Sequence, residues 1–560
     1  MKPSHIKALK ITGIVIVSLC LLHGIATLMV NRILHDRIEQ QLMDQVHLLY
    51  GQTIRYGKIN TQPLSGTITV TDLYFNNTLG ELLMADSIGF EIEVKKVRVT
   101  QVNFIKLLFM KDIGIRAITI DHPSMRLNLN EEAFQTRPQE LSPLASREDV
   151  STSLSASEQM LSFVARLNVD KVRIEDASIS WRMLDSNMEL DVEDVDLAVD
   201  NLNFDFVTQT ASYNDSTYAV SIEGVSILTP DSLTYLTVGS FKTKNAGPIY
   251  IEDFTERTTV GYRELSDRSH LPEVWTSIQV EKVQTSPINI IAQVLSQRVR
   301  IDTLRVRTKT LEVFEDLRYP NVNPYDMPQE ILMDVEVPLH VKYLRASIDT
   351  LRYTMANTDI HDGTLEVVRI KADVKDFGNR NRDAFSVKGS AEFVGGGKGN
   401  LQLTMKMNKA CDWSIKLDAK DIQGSAFNGF LRPLFGISAD LTIDEVAANY
   451  KGDKDKAAGE FKMLYHGLEV HAYKGESAYD IINKNAKAIE DLGNAFLPKS
   501  NPTLLPGSKG NLPSERPREY DVKATRDPMV KVPVYMMMPI IDGLKKTMLP
   551  GLFIQKKRKK

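Results

Sequence analysis

Cysteine is nearly missing, with Cys20 and Cys411 the only two in 560 residues. That excludes a disulfide framework and any Cys-rich zinc or iron–sulfur module. The ten histidines are scattered, with no pair at ligand spacing on a recognisable helix. Neither charge sign dominates: 68 Lys and Arg against 72 Asp and Glu give a net charge of −4, and no field that favours nucleic acid. Catalytic signatures are missing as well, for no His-Glu-x-x-His, nucleophile elbow or kinase set occurs. GGGKG over Gly395–Gly399 departs from the phosphate-loop pattern and precedes strand-like residues, so it reads as a hairpin turn. His466 and His471, an odd number apart on a strand-like stretch, point to opposite faces and make no metal site. No catalytic, metal or cofactor-binding residue is expected. What remains, 42% hydrophobic and 25% charged, is the composition of an ordinary folded protein.

Only one apolar run is long enough to cross a bilayer. Residues 1–10 carry Lys2, Lys7 and Lys10 and no acid, and Ile11–Val30 follows as 20 residues without a formal charge. As a helix it spans about 30 Å, the thickness of the hydrocarbon core. The preceding lysines keep the N-terminus cytoplasmic and send the rest across. A cleaved signal peptide ending near Gly24-Ile25-Ala26 is the competing reading, but the run continues through Leu28, Met29 and Val30. Leu34, Ile38, Leu42, Val46 and Leu49 then predict an amphipathic helix over 31–51.

From Thr53 the period changes to two, and half-buried strands are expected over 52–475, interrupted by an exposed loop over 130–158. One string recurs. IRAITIDHPSMRLNL places Ile115, Ile118, Ile120, Met125, Leu127 and Leu129 at offsets 0, 3, 5, 10, 12 and 14. Val169, Val172, Ile174, Ile179, Trp181 and Met183 repeat them, as do Val341, Leu344, Ala346, Leu351, Tyr353 and Met355. Ile301, Leu304, Val306, Leu311 and Val313 follow until Glu315 breaks the pattern. Read as hairpins, the strings pair 118 with 127 and 120 with 125, giving an apolar cross-strand patch in each copy. The residues before two copies match as well, Phe104, Ile105, Leu108, Phe109 and Ile113 corresponding to Ile290, Ile291, Val294, Leu295 and Val299, so a short helix is expected to lead into each.

The apolar face of such strands must leave water, and the predicted helices are too few to cover it. Besides closure into a barrel, two solutions stay open: a second sheet packed against the first, or a curled sheet whose inner face takes an apolar guest. In the second, an acyl chain gains roughly 0.8 kcal/mol for each methylene buried, without directionality. The candidate guest-lining residues are Ile118, Ile120, Met125, Leu127, Val172, Ile174, Ile179, Trp181, Leu304, Val306, Leu311, Val313, Leu344, Leu351 and Tyr353.

The order of anchor, amphipathic helix, LLYGQTIRYGKINTQPLSGTITVTDLYFNN and NFIKLLFMKDIGIRAITIDHPSMRLNL resembles AsmA-like proteins of double-membrane bacteria. The features that carry the likeness are Gly51 before a strand ending at Ile59, Gly66 opening Ile68-Val70-Asp72-Leu73-Tyr74, and the Ile118-Ile120-Pro123-Met125-Leu127 string. It is clearest over Ile11–Leu129 and continues as repeat pattern alone from Leu167 to Tyr473. The resemblance implies a single-pass inner-membrane protein, its periplasmic part a long twisted antiparallel β-groove related to bridge-like lipid-transfer proteins. It also implies a contribution to phospholipid transport or outer-membrane assembly, with phospholipid acyl chains, the inner membrane and envelope-assembly proteins as partners. A membrane-tethered β-sandwich scaffold or adhesion protein is the alternative, and an anchored hydrolase the third reading.

A helix is expected over 476–497, then a Pro-rich segment and basic tail over 498–560 that the resemblance does not explain. Met536–Met538, Ile540, Ile541, Leu544 and Leu549 read as an apolar contact segment beside Lys556, Lys557, Arg558, Lys559 and Lys560, which would meet anionic headgroups. A solubilising tail is the other reading.

Overall fold

The computed structural model describes residues 52–62, 65–78, 88–102, 112–129, 166–183, 186–205, 210–212, 218–356, 361–380, 383–477, 480–501 and 519–548. The expected anchor, the amphipathic helix, the 130–158 loop, the helix before Ile113 and the basic tail lie outside these residues. Among the described residues no helix is long and apolar enough to cross a membrane.

The chain divides into two units, Met1–Ile251 and Glu252–Lys560. In the first, β1 (Gln52–Arg55) and β2 (Lys58–Gln62) both pair with β3 (Thr67–Thr78), which leads antiparallel to β4 (Ile88–Thr100) and β5 (Asp112–Leu129). β6 (Arg166–Met183) lies parallel to β5, and β7 (Glu189–Asp205) is antiparallel to β6. The short β8 (Thr210–Ser212) and β9 (Tyr218–Leu228) pair with β7, and β10 (Thr234–Lys244) with β9. The division falls inside β11 (Ile249–Thr258).

The second unit repeats the central order. α1 (Tyr262–Ser269) precedes β12 (Val274–Thr285), and α2 (Ile290–Leu295) leads into β13 (Val299–Asp316) as the matching residues predict. β13 is antiparallel to β12 and parallel to β14 (Leu339–Ala356), which follows α3 (Pro328–Asp334). β15 (Asp362–Gly378), β16 (Ala384–Phe393), β17 (Lys398–Lys406) and β18 (Trp413–Gln423) continue antiparallel. After α4 (Ser425–Phe435) come β19 (Gly436–Gly452), β20 (Lys456–Ser477), α5 (Asp480–Phe496), β21 (Glu519–Thr525) and α6 (Val532–Met548). β18 to β21 extend the same antiparallel ladder. Each unit is thus an open, mostly antiparallel sheet. The glycine-rich stretch is the tight turn between β16 and β17, with Gly395, Gly396 and Gly397 all at positive φ that other residues avoid.

The four repeated strings are not hairpins. Each is one strand of 18 residues, roughly 60 Å long. The copies pair side by side as parallel strands in register: Ile118 beside Val172, Ile120 beside Ile174, Met125 beside Ile179 and Leu127 beside Trp181. In the second unit Leu304 stands beside Leu344, Val306 beside Ala346, Leu311 beside Leu351 and Val313 beside Tyr353. The Asp-His-Pro segment that reads as a turn bends the strand without reversing it. His122 (φ 50°) and Asp176 (φ 54°), at the same offset in the two copies, take the left-handed conformation. Such a bulge shifts the alternation once. Ile120 and Met125, an odd number apart, then share a face.

Two outcomes check this packing. Cysteines at Thr119 and Arg173, neighbours across the parallel seam, will form a disulfide on oxidation, whereas cysteines at Thr119 and Arg126, which a hairpin would pair, will not; linked peptides after proteolysis report both. A methyl group at Gly543 in α6 would overlap the ring of Phe461, so Gly543→Ala should cost about 1–3 kcal/mol in denaturant melts. Gly114→Ala, with no atom within 4 Å of the added carbon, should stay within about 0.5 kcal/mol.

Candidate functional site

The register aligns apolar side chains into rows that cross the strands. In the first unit one row runs Ile59, Val70, Val97, Ile120, Ile174, Leu197, Val220. Its neighbour runs Ile68, Val99, Ile118, Val172, Val199, Tyr218. Beyond the bend lie Phe75, Ile92, Met125, Ile179, Val192, Val225, Val238 and then Leu127, Trp181, Leu190, Ile227, Leu236. Apart from Tyr218, all of these are half-buried. Buried apolar side chains in this unit are few among the described residues: Val94, Val169, Ala177 and Tyr218.

In the second unit the row Leu304, Leu344, Val374, Val387, Leu403, Ile415, Tyr450 crosses seven strands, β13 to β19. A parallel row runs Val283, Val306, Ala346, Ala372, Gly389, Leu401, Leu417, Ala448, Phe461. Burial deepens along them. Leu304 and Val306 are half-buried, Val374 is 9% exposed, and Tyr450 and Phe461 are 2% and 1%. The cause is the cover. Tyr535 of α6 meets Trp413 edge to face at 5.8 Å, and Val532, Ile540 and Met327 complete a packed core. Leu344 already packs against that core, while Leu304 does not belong to it.

Eleven of the fifteen candidate lining residues therefore fall in these rows, and the other four pair in two further rows, Leu311, Leu351, Val367 and Val313, Tyr353, Leu365; pairing across strands, not within hairpins, brings them together. Tyr353 differs in its surroundings. Its ring lies 6.4 Å from Phe430 of α4, its hydroxyl donates to Glu315, and burial first, then Glu315, pushes the phenol well above its usual pKa. Glu315 is held in turn by Lys531 at 3.0 Å, so the Tyr353 hydroxyl meets an ion pair and not an apolar neighbour.

The second correction concerns α6. The Met536–Met538 stretch is no surface segment: Met536, Met538, Leu544 and Met548 pack on the core, and the helix continues across Pro539. Met537 and Ile541 are its exposed large apolar side chains. Lys556–Lys560 lie outside the described residues. Sequence reasoning missed the row members on β4, β7, β9, β12 and β15, such as Val97, Leu197 and Val367. Their alternation marked them as strand residues, but only cross-strand register makes them part of the same rows. His466 and His471 each face their own carboxylate, Asp444 at 3.0 Å and Asp440 at 3.1 Å.

Asp176, Asp194 and Asp196 bring three carboxylates within 4.8 Å of one another. Asp196 accepts the Asp176 backbone N–H at 3.1 Å, and His122 lies 3.4 Å from Asp176. Burial, then the charges of Asp196, Asp176 and Glu223, raise the pKa of Asp194. No known family model matches this chain, and no curated protein sequence does.

A folded-state pKa above the unfolded one means that the ionised Asp194 costs stability above its unfolded pKa, and that the cost fades as pH falls through the raised value. Asp194→Asn should therefore raise the melting temperature at pH 7 and leave it unchanged near pH 3, as followed by circular dichroism.

Proposed function

We propose that this chain is a membrane-anchored carrier whose apolar sheet face shields lipid acyl chains. The observation that carries the reading is the set of continuous apolar rows, half-buried along β3 to β10 and again on β12 to β14. An apolar surface of that extent in contact with water is unfavourable unless something covers it. Hydrocarbon suits the geometry, because the rows supply contact along many strands but no directional polar group, so a guest is held by its length and free to slide. That each unit's strands join into one open sheet, and not two leaves face to face, favours a trough over a sandwich.

The resemblance to AsmA-like proteins supplies the setting: an inner-membrane anchor over Ile11–Val30, a cytoplasmic N-terminus, and a periplasmic bulk that contributes to phospholipid transport or outer-membrane assembly. The mechanism is passive shielding, with energy supplied by partners. The sealed core of β16 to β21 favours a second reading for that end alone, a rigid scaffold on which the trough is mounted.

Native mass spectrometry of the full chain released from a neutral detergent should show bound phospholipid. A photoreactive residue at Ile118, Leu127 or Leu304 should yield lipid adducts, and one at the dry position Ile415 should not. Leu304→Asp should leave a folded protein with its lipid lost. Protein-only adducts at all four positions would reject the trough.

A further inference from the structure

The parallel seams have a consequence on the opposite face of the sheet. Where two copies of a repeat pair in register, equivalent residues become neighbours, so a charge present in both copies meets itself. Along the β13–β14 seam most positions avoid this: Glu312 faces Arg352 in an ion pair, and Arg307 faces Ser347. Arg305 and Arg345 are the like-charged pair in that register. They sit on adjacent strands about 4.8 Å apart, where like charges oppose folding. In the first unit the equivalent neighbours are Thr119 and Arg173, and Arg173 is neutralised by Asp200 at 2.5 Å.

No such neutralisation reaches Arg305. An open cleft of about 410 Å³ lies over this pair, lined by five cationic and two acidic side chains. The cations around it are already engaged: Lys282 with Glu252 at 2.9 Å, and Arg307 with Glu281 at 3.0 Å. Arg345 meets Asp373 at a loose 3.6 Å, with both side chains about two-thirds exposed. Arg305 and Lys371 make no ion pair among the described residues. Gln284 and Ser347 add neutral polar groups beside them.

We propose that Arg305, Arg345 and Lys371 form a binding site for a phosphate group, carried either by a lipid headgroup or by a soluble phosphate. Two guanidinium forks from neighbouring strands offer paired N–H donors that match the spacing of phosphate oxygens, and the bound anion removes the repulsion between them. A carboxylate would satisfy one fork, whereas a phosphate presents enough oxygens for both. The site lies on the face opposite Leu304 and Leu344, so it is independent of the acyl trough.

The test uses the full chain in neutral detergent with two probes, inorganic pyrophosphate and dihexanoyl phosphatidylglycerol. Binding is measured by calorimetry and by the shift in melting temperature relative to chloride at equal ionic strength. Both probes, or one, should bind the parent, and affinity should fall roughly tenfold or more in the Arg305→Gln/Arg345→Gln variant. Lys371→Gln, a single exposed change on the same rim, should weaken binding by less and guards against a folding defect in the double variant. Loss of lipid binding alone assigns the site to a headgroup, and loss of pyrophosphate binding alone to a soluble phosphate. Should neither probe bind beyond the chloride control, or should the double variant bind as tightly as the parent, the site is rejected. Lipid binding that persists in both variants while pyrophosphate binding is lost is carried by the apolar rows on the other face and leaves the site to the soluble phosphate.

Discussion

The structure depends on an imbalance between apolar strand surface and the polypeptide that covers it. A sheet whose strands alternate has one face that water disfavours, and in the second unit α3, α4 and α6 seal that face over β16 to β21. Where these helices stop, the same rows continue half-exposed through Val306 and Leu304. The dry core and the half-exposed rows are two stretches of one sheet face, distinguished by their cover and not by their chemistry. A sealed end and an uncovered end thereby arise without any change in the strand pattern.

The parallel seam is the second organising device. Pairing two copies of one string in register aligns every apolar position with its equivalent, so the rows cross β5 to β6 and β13 to β14 without a step. The same rule acts on polar residues. It turns Glu312 and Arg352 into a pair and sets Arg305 against Arg345, so the polar face inherits its pattern from the repeat as the apolar face does. The central order of antiparallel, parallel, antiparallel strands recurs in both units, which is how two halves with little sequence likeness outside the strings present the same arrangement.

Much of the apolar sheet face was legible in the chain. The offsets that link Ile118 with Val172 and Leu304 with Leu344 correspond to in-register pairing of neighbouring strands. The misreading was local. Asp121-His122-Pro123 has the composition of a turn, but His122 at φ 50° absorbs the irregularity within one continuous strand. A turn and a bulge draw on the same residues, and the choice between them rests on whether the partner strand lies next in the chain or far along it. The methionines of α6 were misread for a related reason: an apolar stretch next to a basic tail suits a membrane surface and a protein core equally until Phe461 and Trp413 are seen beneath it.

By itself, then, the sequence determined the mostly β character, the alternation that creates an apolar face, and the equivalence of the four strings, because these follow from the chemistry of neighbouring residues. Tertiary structure alone decided that equivalent strings pair with one another in parallel, that the helices cover one end of the face and leave the rest, and that Arg305 stands beside Arg345. Each of these is a contact between residues distant along the chain, and no local periodicity encodes which distant strand arrives at which register.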